Sequence, residues 1–130
     1  MSPPPPDVPA RRALLRTLAN PTPRRDFVVD LAGRVGGDRP ADVSLRYVPD
    51  RLVIVPDSFV SYLQALDEVA LPSLEHLAAA ITDDVANEVV ARWTQVIVTT
   101  DPGGPGHSVL VEDRQPRWDN KSLLERLRRF

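Results

Sequence analysis

Two helical hydrophobic patterns stand back to back in the middle of this chain, with β-branched runs on both sides of them. In residues 58–69, Phe59, Tyr62, Leu63 and Leu66 recur at the spacing of one helix face. In residues 74–90, Leu74, Leu77, Ala78, Ile81, Val85, Ala86 and Val89 do the same, which leaves Thr82, Asp83, Asp84, Asn87 and Glu88 for water. Asp57 and Ser73 precede the two patterns as N-caps, because their side-chain oxygens accept from free backbone N–H groups. Residues 27–35, 42–48 and 51–55 come before the helix pair, and residues 92–100 and 107–111 come after it. The run 42–48 (DVSLRYV) alternates polar and apolar, as a half-buried strand does. Pro49-Asp50 is a tight connection and predicts a hairpin between 42–48 and 51–55. Strands grouped on either side of a helix pair predict an α+β domain, an antiparallel sheet with helices on one face. So small a sheet leaves edges that need closure or assembly to cover them.

The ends read differently. Residues 1–9 (MSPPPPDVP) form a solvated, polyproline-like tail. Residues 10–20 (ARRALLRTLAN) predict one short helix with Leu14, Leu15 and Leu18 on a face, ended by Pro21 and Pro23. The expected division is an N-terminal arm over 1–23, a domain over 24–112 and a polar tail over 113–130. In that tail Asn120 caps a short helix over 121–129. No apolar run approaches the ~20 residues of a membrane helix, and the start lacks a basic-then-apolar signal pattern. The expected location is therefore cytoplasmic, with no membrane partner. A formal net charge of -2 gives no support for a nucleic-acid partner. Cysteine is absent, which excludes disulfides, thiolate metal ligands and cysteine nucleophiles together. Among 16 lysines and arginines, only Lys121 is lysine, and arginine does not serve as a proton-transfer group.

A few residues invite a chemical reading. Glu75 and His76 open the second helix. His76 titrates near neutrality and suits acid–base work, whereas Glu75 in a first turn is favoured by the helix dipole whatever else it does. Ser58 and Phe59 stand at the start of the first helix, where backbone N–H groups can bind an acceptor; the alternative is that Ser58 supports capping and Phe59 is core. His107 follows Gly103, Gly104 and Gly106, glycines that let a backbone approach a ligand or simply make a hairpin loop. The run is no phosphate loop, since it has no Gly-Lys-Ser/Thr and no helix follows. His76 and His107 match no zinc spacing, so no metal is expected.

The segment Leu45-Arg46-Tyr47-Val48-Pro49-Asp50 resembles the Arg-Tyr-Val-Pro-Asp hairpin of the 7-cyano-7-deazaguanine nitrile reductases of the queuosine pathway. Asp57-Ser58-Phe59-Val60-Ser61-Tyr62-Leu63 falls where that family has a Lys-Ser-Leu-Lys motif. Glu75-His76 falls on its adjacent His-Glu pair, and Asp101-Pro102-Gly103-Gly104 on its Thr-Pro-Arg-Gly-Gly. The resemblance covers about residues 25–111. It implies a tunnelling fold, a four-strand antiparallel sheet with two helices on one face, whose units assemble into a β-barrel toroid. The implied partners are a small cyclic metabolite and further copies of the chain, in a ring or stacked rings. In this superfamily the sites lie between subunits and hold planar nitrogen heterocycles anchored by a Glu or Gln.

The departures from the family are as informative. Its catalytic cysteine falls near Ala32, and its acidic proton donor near Asp38 or Arg39. Its cofactor-binding lysines fall on Asp57 and Val60, and its arginine on Gly103. A nicotinamide cofactor with a 2′-phosphate needs cations, and an aspartate there repels it. The expectation is a protein without cofactor and without nitrile reduction, which binds a heterocyclic or polyketide-like ring for non-redox acid–base chemistry. His76 and Glu75 would be catalytic, and Glu75, Ser58, Phe59 and His107 would contact the ring. The alternative is a non-catalytic ligand-binding or assembly protein that keeps the toroid.

Overall fold

In the computed structural model the described residues are 7–37, 40–100 and 104–127. The elements, in chain order, are α1 (Val8–Arg12), β1 (Thr17–Ala19), β2 (Val29–Val35), β3 (Ala41–Val48), β4 (Leu52–Ile54), α2 (Pro56–Leu66), α3 (Leu74–Val89), β5 (Trp93–Thr100), β6 (Ser108–Arg114) and α4 (Lys121–Glu125). Four of the strands form one antiparallel sheet in the order β2-β3-β5-β6. The central pair runs in register from Ala41 opposite Thr100 to Val48 opposite Trp93. Alternation then turns Val43, Leu45 and Tyr47 of β3, with Val96 and Val98 of β5, toward one side. There they bury against Phe59, Leu63, Ile81 and Val85 of the two long helices. The expected four-strand antiparallel sheet with two helices on one face is therefore observed. Among the described residues no helix is long and apolar enough to cross a membrane.

The helices sit close to the sheet. A Cβ on Gly33 of β2 would lie 2.5 Å from Leu63 Cδ1 of α2, so a side chain there would have to displace the buried Leu63 side chain. After β2 the chain turns back at Gly37, whose φ of 83° favours glycine. A Cβ there would also meet the Asp67 carbonyl oxygen at 2.5 Å. The Asp67 carboxylate accepts from the Gly36 N–H at 2.6 Å, which ties this turn to the end of α2.

Three local expectations are corrected. Strand 51–55 does not form a hairpin with 42–48; β4 pairs instead with β1, in a separate two-stranded ladder from Thr17 opposite Ile54 to Ala19 opposite Leu52. The eight-residue β3 has β2 on one edge and β5 on the other, each in long register, and three residues of β4 do not displace either. What joins β4 to β3 is a side chain: the Tyr47 hydroxyl accepts from the Ile54 N–H at 2.8 Å. Second, the segment 10–20 is not one helix. Only α1 is helical, Leu15 alone of the three leucines is buried, and the remainder extends into β1. Third, α2 begins one residue before Asp57, with Val55 at the N-cap and Pro56 in the first turn. Proline's fixed φ and missing N–H suit that place, and Asp57 serves the first turn as a charge rather than as the cap.

The outward face expected for α3 is also corrected at two positions, since Thr82 and Asp84 are buried. Thr82 turns its hydroxyl onto the Ala78 carbonyl at 2.8 Å. Asp84 accepts from Arg11 and Arg12 of α1 and from Tyr62 of α2. Helix α3 is covered from two sides, by the sheet and by α1 with α2.

Tyr47→Phe keeps the ring but leaves the buried Ile54 N–H without its acceptor. We expect a loss of about 1–3 kcal/mol in urea denaturation, with far-ultraviolet circular dichroism unchanged at low urea. An unchanged midpoint would mean that water reaches this N–H.

Candidate functional site

Helix α3 runs back along β5, so its N-terminal turn lies beside the end of β5 and the start of β6. Ser73 caps it, accepting from the His76 N–H at 3.2 Å. Glu75 and His76 follow in the first turn, both exposed. Across from them, His107 precedes β6 and is held by β5: the Thr100 N–H donates to the His107 carbonyl at 3.0 Å, and the Thr100 hydroxyl donates to it at 3.3 Å.

This geometry brings together two residues 32 positions apart. His107 Nε2 lies 2.6 Å from Glu75 Oε1. The adjacent His76 is not part of that pair; its Nδ1 lies 2.6 Å from the Ser73 hydroxyl. Each histidine therefore has its own partner, one a carboxylate and the other a hydroxyl. The bond from His107 is the largest cause holding the Glu75 carboxyl below the usual carboxylate range. Its own backbone N–H and the Ser73 hydroxyl add to this, against a smaller desolvation effect. When Nε2 of His107 carries the shared proton, Nδ1 is the basic nitrogen of the ring, and the carboxylate fixes that tautomer.

His107 lines a cleft of about 830 Å³ between the α2–α3 connection and the end of the sheet; Glu75 reaches it through His107, and neither Glu75 nor His76 is part of its wall. Val35, Leu66, Leu71 and Leu77 supply apolar wall, while Ser73 and His107 bring polar atoms to it. Gly36 and Gly37 form the opposite lip, fixed by Asp67 as described above. An apolar wall with a few convergent polar groups is the general form of a small-molecule site. Among the described residues, no cluster of three or more His, Asp or Glu is placed to hold a metal ion.

The other two candidates lie elsewhere. Ser58 is buried, and its hydroxyl accepts from the Arg16 N–H at 3.0 Å and donates to the Val55 carbonyl at 2.7 Å. Phe59 is buried in the core and stacks near Tyr62. Neither lines the cleft. Sequence reasoning took Ser73 for a cap alone and passed over Thr100 and Asp67. Ser73 carried a signal, since a Ser three residues before a His sets their side chains on one turn. Nothing local marks Thr100 or Asp67.

No family model matches the sequence. An NADPH-dependent 7-cyano-7-deazaguanine reductase of Acidithiobacillus ferrooxidans is 30% identical over 139 aligned residues, spanning 94% of this chain and 91% of that protein. The same enzyme from a second strain gives the same figures. Among solved structures, the apo form of the archaeosine synthase QueF-Like superposes with a TM-score of 0.51 and 20% identity, over 67% of this chain and 91% of that one. That likeness speaks for the fold.

The depressed Glu75 titration gives a signed expectation. A carboxyl whose folded pKa is lowered stabilises the fold above its unfolded pKa, and the contribution is lost as pH falls through the folded value. In carbon-detected NMR, Glu75 should titrate below the ordinary carboxylate range in the native protein. In His107→Ala it should move up toward that range. An unmoved midpoint would show that the pair does not form in solution.

Proposed function

Because the chain belongs to the 7-cyano-7-deazaguanine reductase family, we propose that it binds a planar cyclic metabolite of the kind that family handles, but works on it by proton transfer alone. The Glu75–His107 pair, whose histidine lines the cleft, carries this reading in a chain without cysteine. In the proposed reaction His107 takes a proton from the bound ring or returns one to it, and Glu75 balances the imidazolium. Glu75 also offers a second oxygen as acceptor for a ring N–H. His76, next to Glu75 in the chain and held by the Ser73 hydroxyl, is a second acid–base group on the same helical turn. Cyclisation, hydration and isomerisation all need no more than this.

The residues present do not fit the nicotinamide cofactor named for the relatives. Where the resemblance puts cationic contacts on α2, this chain presents the Asp57 carboxylate in the first turn and the exposed isopropyl group of Val60. A 2′-phosphate there would face a like charge. Where the resemblance puts the nucleophile, Ala32 lies exposed on β2, opposite Ser44. No alkylatable or thioimide-forming side chain stands in for cysteine, and no hydride step is part of the proposal.

Assembly belongs to the same reading. β2 and β6 are the edges of the sheet, and the Glu75–His107 pair is about half exposed in the single subunit, at 59% and 47% of the side chains. Closing a ring of copies through those edges would cover the strands and shield the pair, which strengthens its electrostatics.

A thermal-shift and calorimetric panel of planar heterocycles, 7-cyano-7-deazaguanine included, tests this reading. We expect at least one ligand to raise the melting temperature of the wild type. Binding should fall at least tenfold in Glu75→Ala and in His107→Ala, with both variants folded. NADPH consumption with 7-cyano-7-deazaguanine should stay at background. Measurable nitrile reduction would overturn the proposal. Binding without turnover in any coupled assay would move the protein to a ligand-binding role.

A further inference from the structure

The N-terminal residues 7–20 lie outside both the four-stranded sheet and the long helix pair, yet they converge on one buried carboxylate. Asp84 is 0% exposed. Arg11 Nε donates to its Oδ2 at 2.8 Å, Arg12 Nε to its Oδ1 at 2.6 Å, and the Tyr62 hydroxyl to its Oδ2 at 2.5 Å. Two of these three donors belong to α1, and the third comes from α2.

Nothing else in the segment is strong enough to stand alone. Helix α1 has five residues, fewer than an isolated helix needs. The β1–β4 ladder has three pairs, and a short two-stranded ladder is at best marginal in water. From residues 7–20 only Leu15 joins the core cluster. The other fastenings are single hydrogen bonds: Val55 N–H to Arg16 O at 2.9 Å, Asn20 N–H to Arg51 O at 2.8 Å, the Asn20 side-chain amide to the Asp50 carbonyl at 2.8 Å, and Arg16 N–H to the Ser58 hydroxyl at 3.0 Å.

We propose that residues 7–20 are a strap that docks and releases as one unit, with Asp84 as its latch. Lifting α1, with both of its arginines, while water is still excluded would leave the buried Asp84 carboxylate with the Tyr62 hydroxyl and no cation. Full release readmits water to Asp84 and removes that penalty, so the docked and fully released states are the two stable ones. Release leaves the four-stranded sheet and its helix-facing core intact. It frees β4 from its ladder and uncovers the Ser58 hydroxyl at the start of α2. The strap thus controls access to one end of the helix layer, and its latch sits on α3, the helix whose first turn carries Glu75.

Native-state amide exchange of the full chain in rising, sub-denaturing urea reads this directly. The amides of Arg16, Asn20 and Val55 should share one opening reaction, faster and less urea-dependent than that of the β3 and β5 amides. Asp84→Asn should accelerate the three about a hundredfold or more with the weak urea dependence kept. Should that variant not fold, Arg12→Gln, which removes the more exposed donor, should accelerate them about tenfold. If the three wild-type amides follow the same urea dependence as β3 and β5, the strap opens only with the whole domain and the proposal is wrong. Unchanged exchange of the three in a folded Asp84→Asn or Arg12→Gln would equally remove the latch.

Discussion

The pairing of β3 with β5 joins parts of the chain that lie on opposite sides of the helix pair, and the remaining geometry follows from it. For Leu45 to sit opposite Val96, about fifty residues must leave the sheet and return, and α2 and α3 are what fill that excursion. A 16-residue helix is about 24 Å long, and an eight-residue strand spans about 26 Å. Helix α3 returns to the sheet through a left-handed cap at Val90 and enters β5 three residues later. Equal lengths then place its first turn level with the last residues of β5. That match sets Glu75 beside His107, and it leaves the cleft between the α2–α3 connection and the glycine turn after β2.

The same pairing explains why the N-terminal strap and β4 lie apart. Once β5 holds the inner edge of β3 and β2 the outer, Leu52–Ile54 has no place in the sheet and takes β1 as its partner. The Tyr47 hydroxyl bridges what would otherwise be a gap between two layers of backbone. At the other end of the sheet, Arg92 donates to Asp26 at 3.0 Å and to Asp50 at 3.1 Å. Trp118 and Asn120 both donate to the second oxygen of Asp26. Burial pushes the Asp26 carboxyl up, and the hydrogen bonds from Asn120, Trp118 and Arg92 together outweigh it and hold it below its ordinary value. Residues 23–26, the β3–β4 turn and the C-terminal segment are fastened there by one group of side chains.

Sequence pattern alone was enough for the elements with strong period: both long helices, β3, and the strand that became β5. It was enough for the sheet architecture too, because two helices between groups of strands leave few antiparallel solutions. It failed where the outcome depended on competition at a distance. Pro49-Asp50 marks a tight turn, but whether the next strand pairs across that turn depends on β5, whose turn signals are forty residues away. Asp84 sits on the polar side of the α3 pattern, and only the arrival of Arg11 and Arg12 from a proline-flanked segment buries it. Glu75 and His107 were each legible as candidates. Their partnership was not, because no spacing rule connects a first helical turn with a residue before a later strand. Ser58 and Phe59 show the converse, a resemblance in sequence at positions that the subunit uses for main-chain fastening and for core.

Two of the four carboxylates on helix α3, Asp84 and Glu75, meet opposite conditions. Asp84 is closed off from water with three donors on its two oxygens, so its energy is spent on position, and any change of charge there is a change of structure. Glu75 meets water and a single imidazole; salt and solvent screen the pair, so it contributes little to holding the fold together. A group that stabilises little and is kept in one geometry by a partner can exchange protons without disturbing its surroundings. The two sites lie on one rigid element, about nine residues or 13 Å apart along its axis. Tight fastening at Asp84 is compatible with chemistry at Glu75 because the helix between them transmits orientation but no charge. The physical division of labour on α3 therefore favours the first turn, and not the buried cluster, for the proposed site.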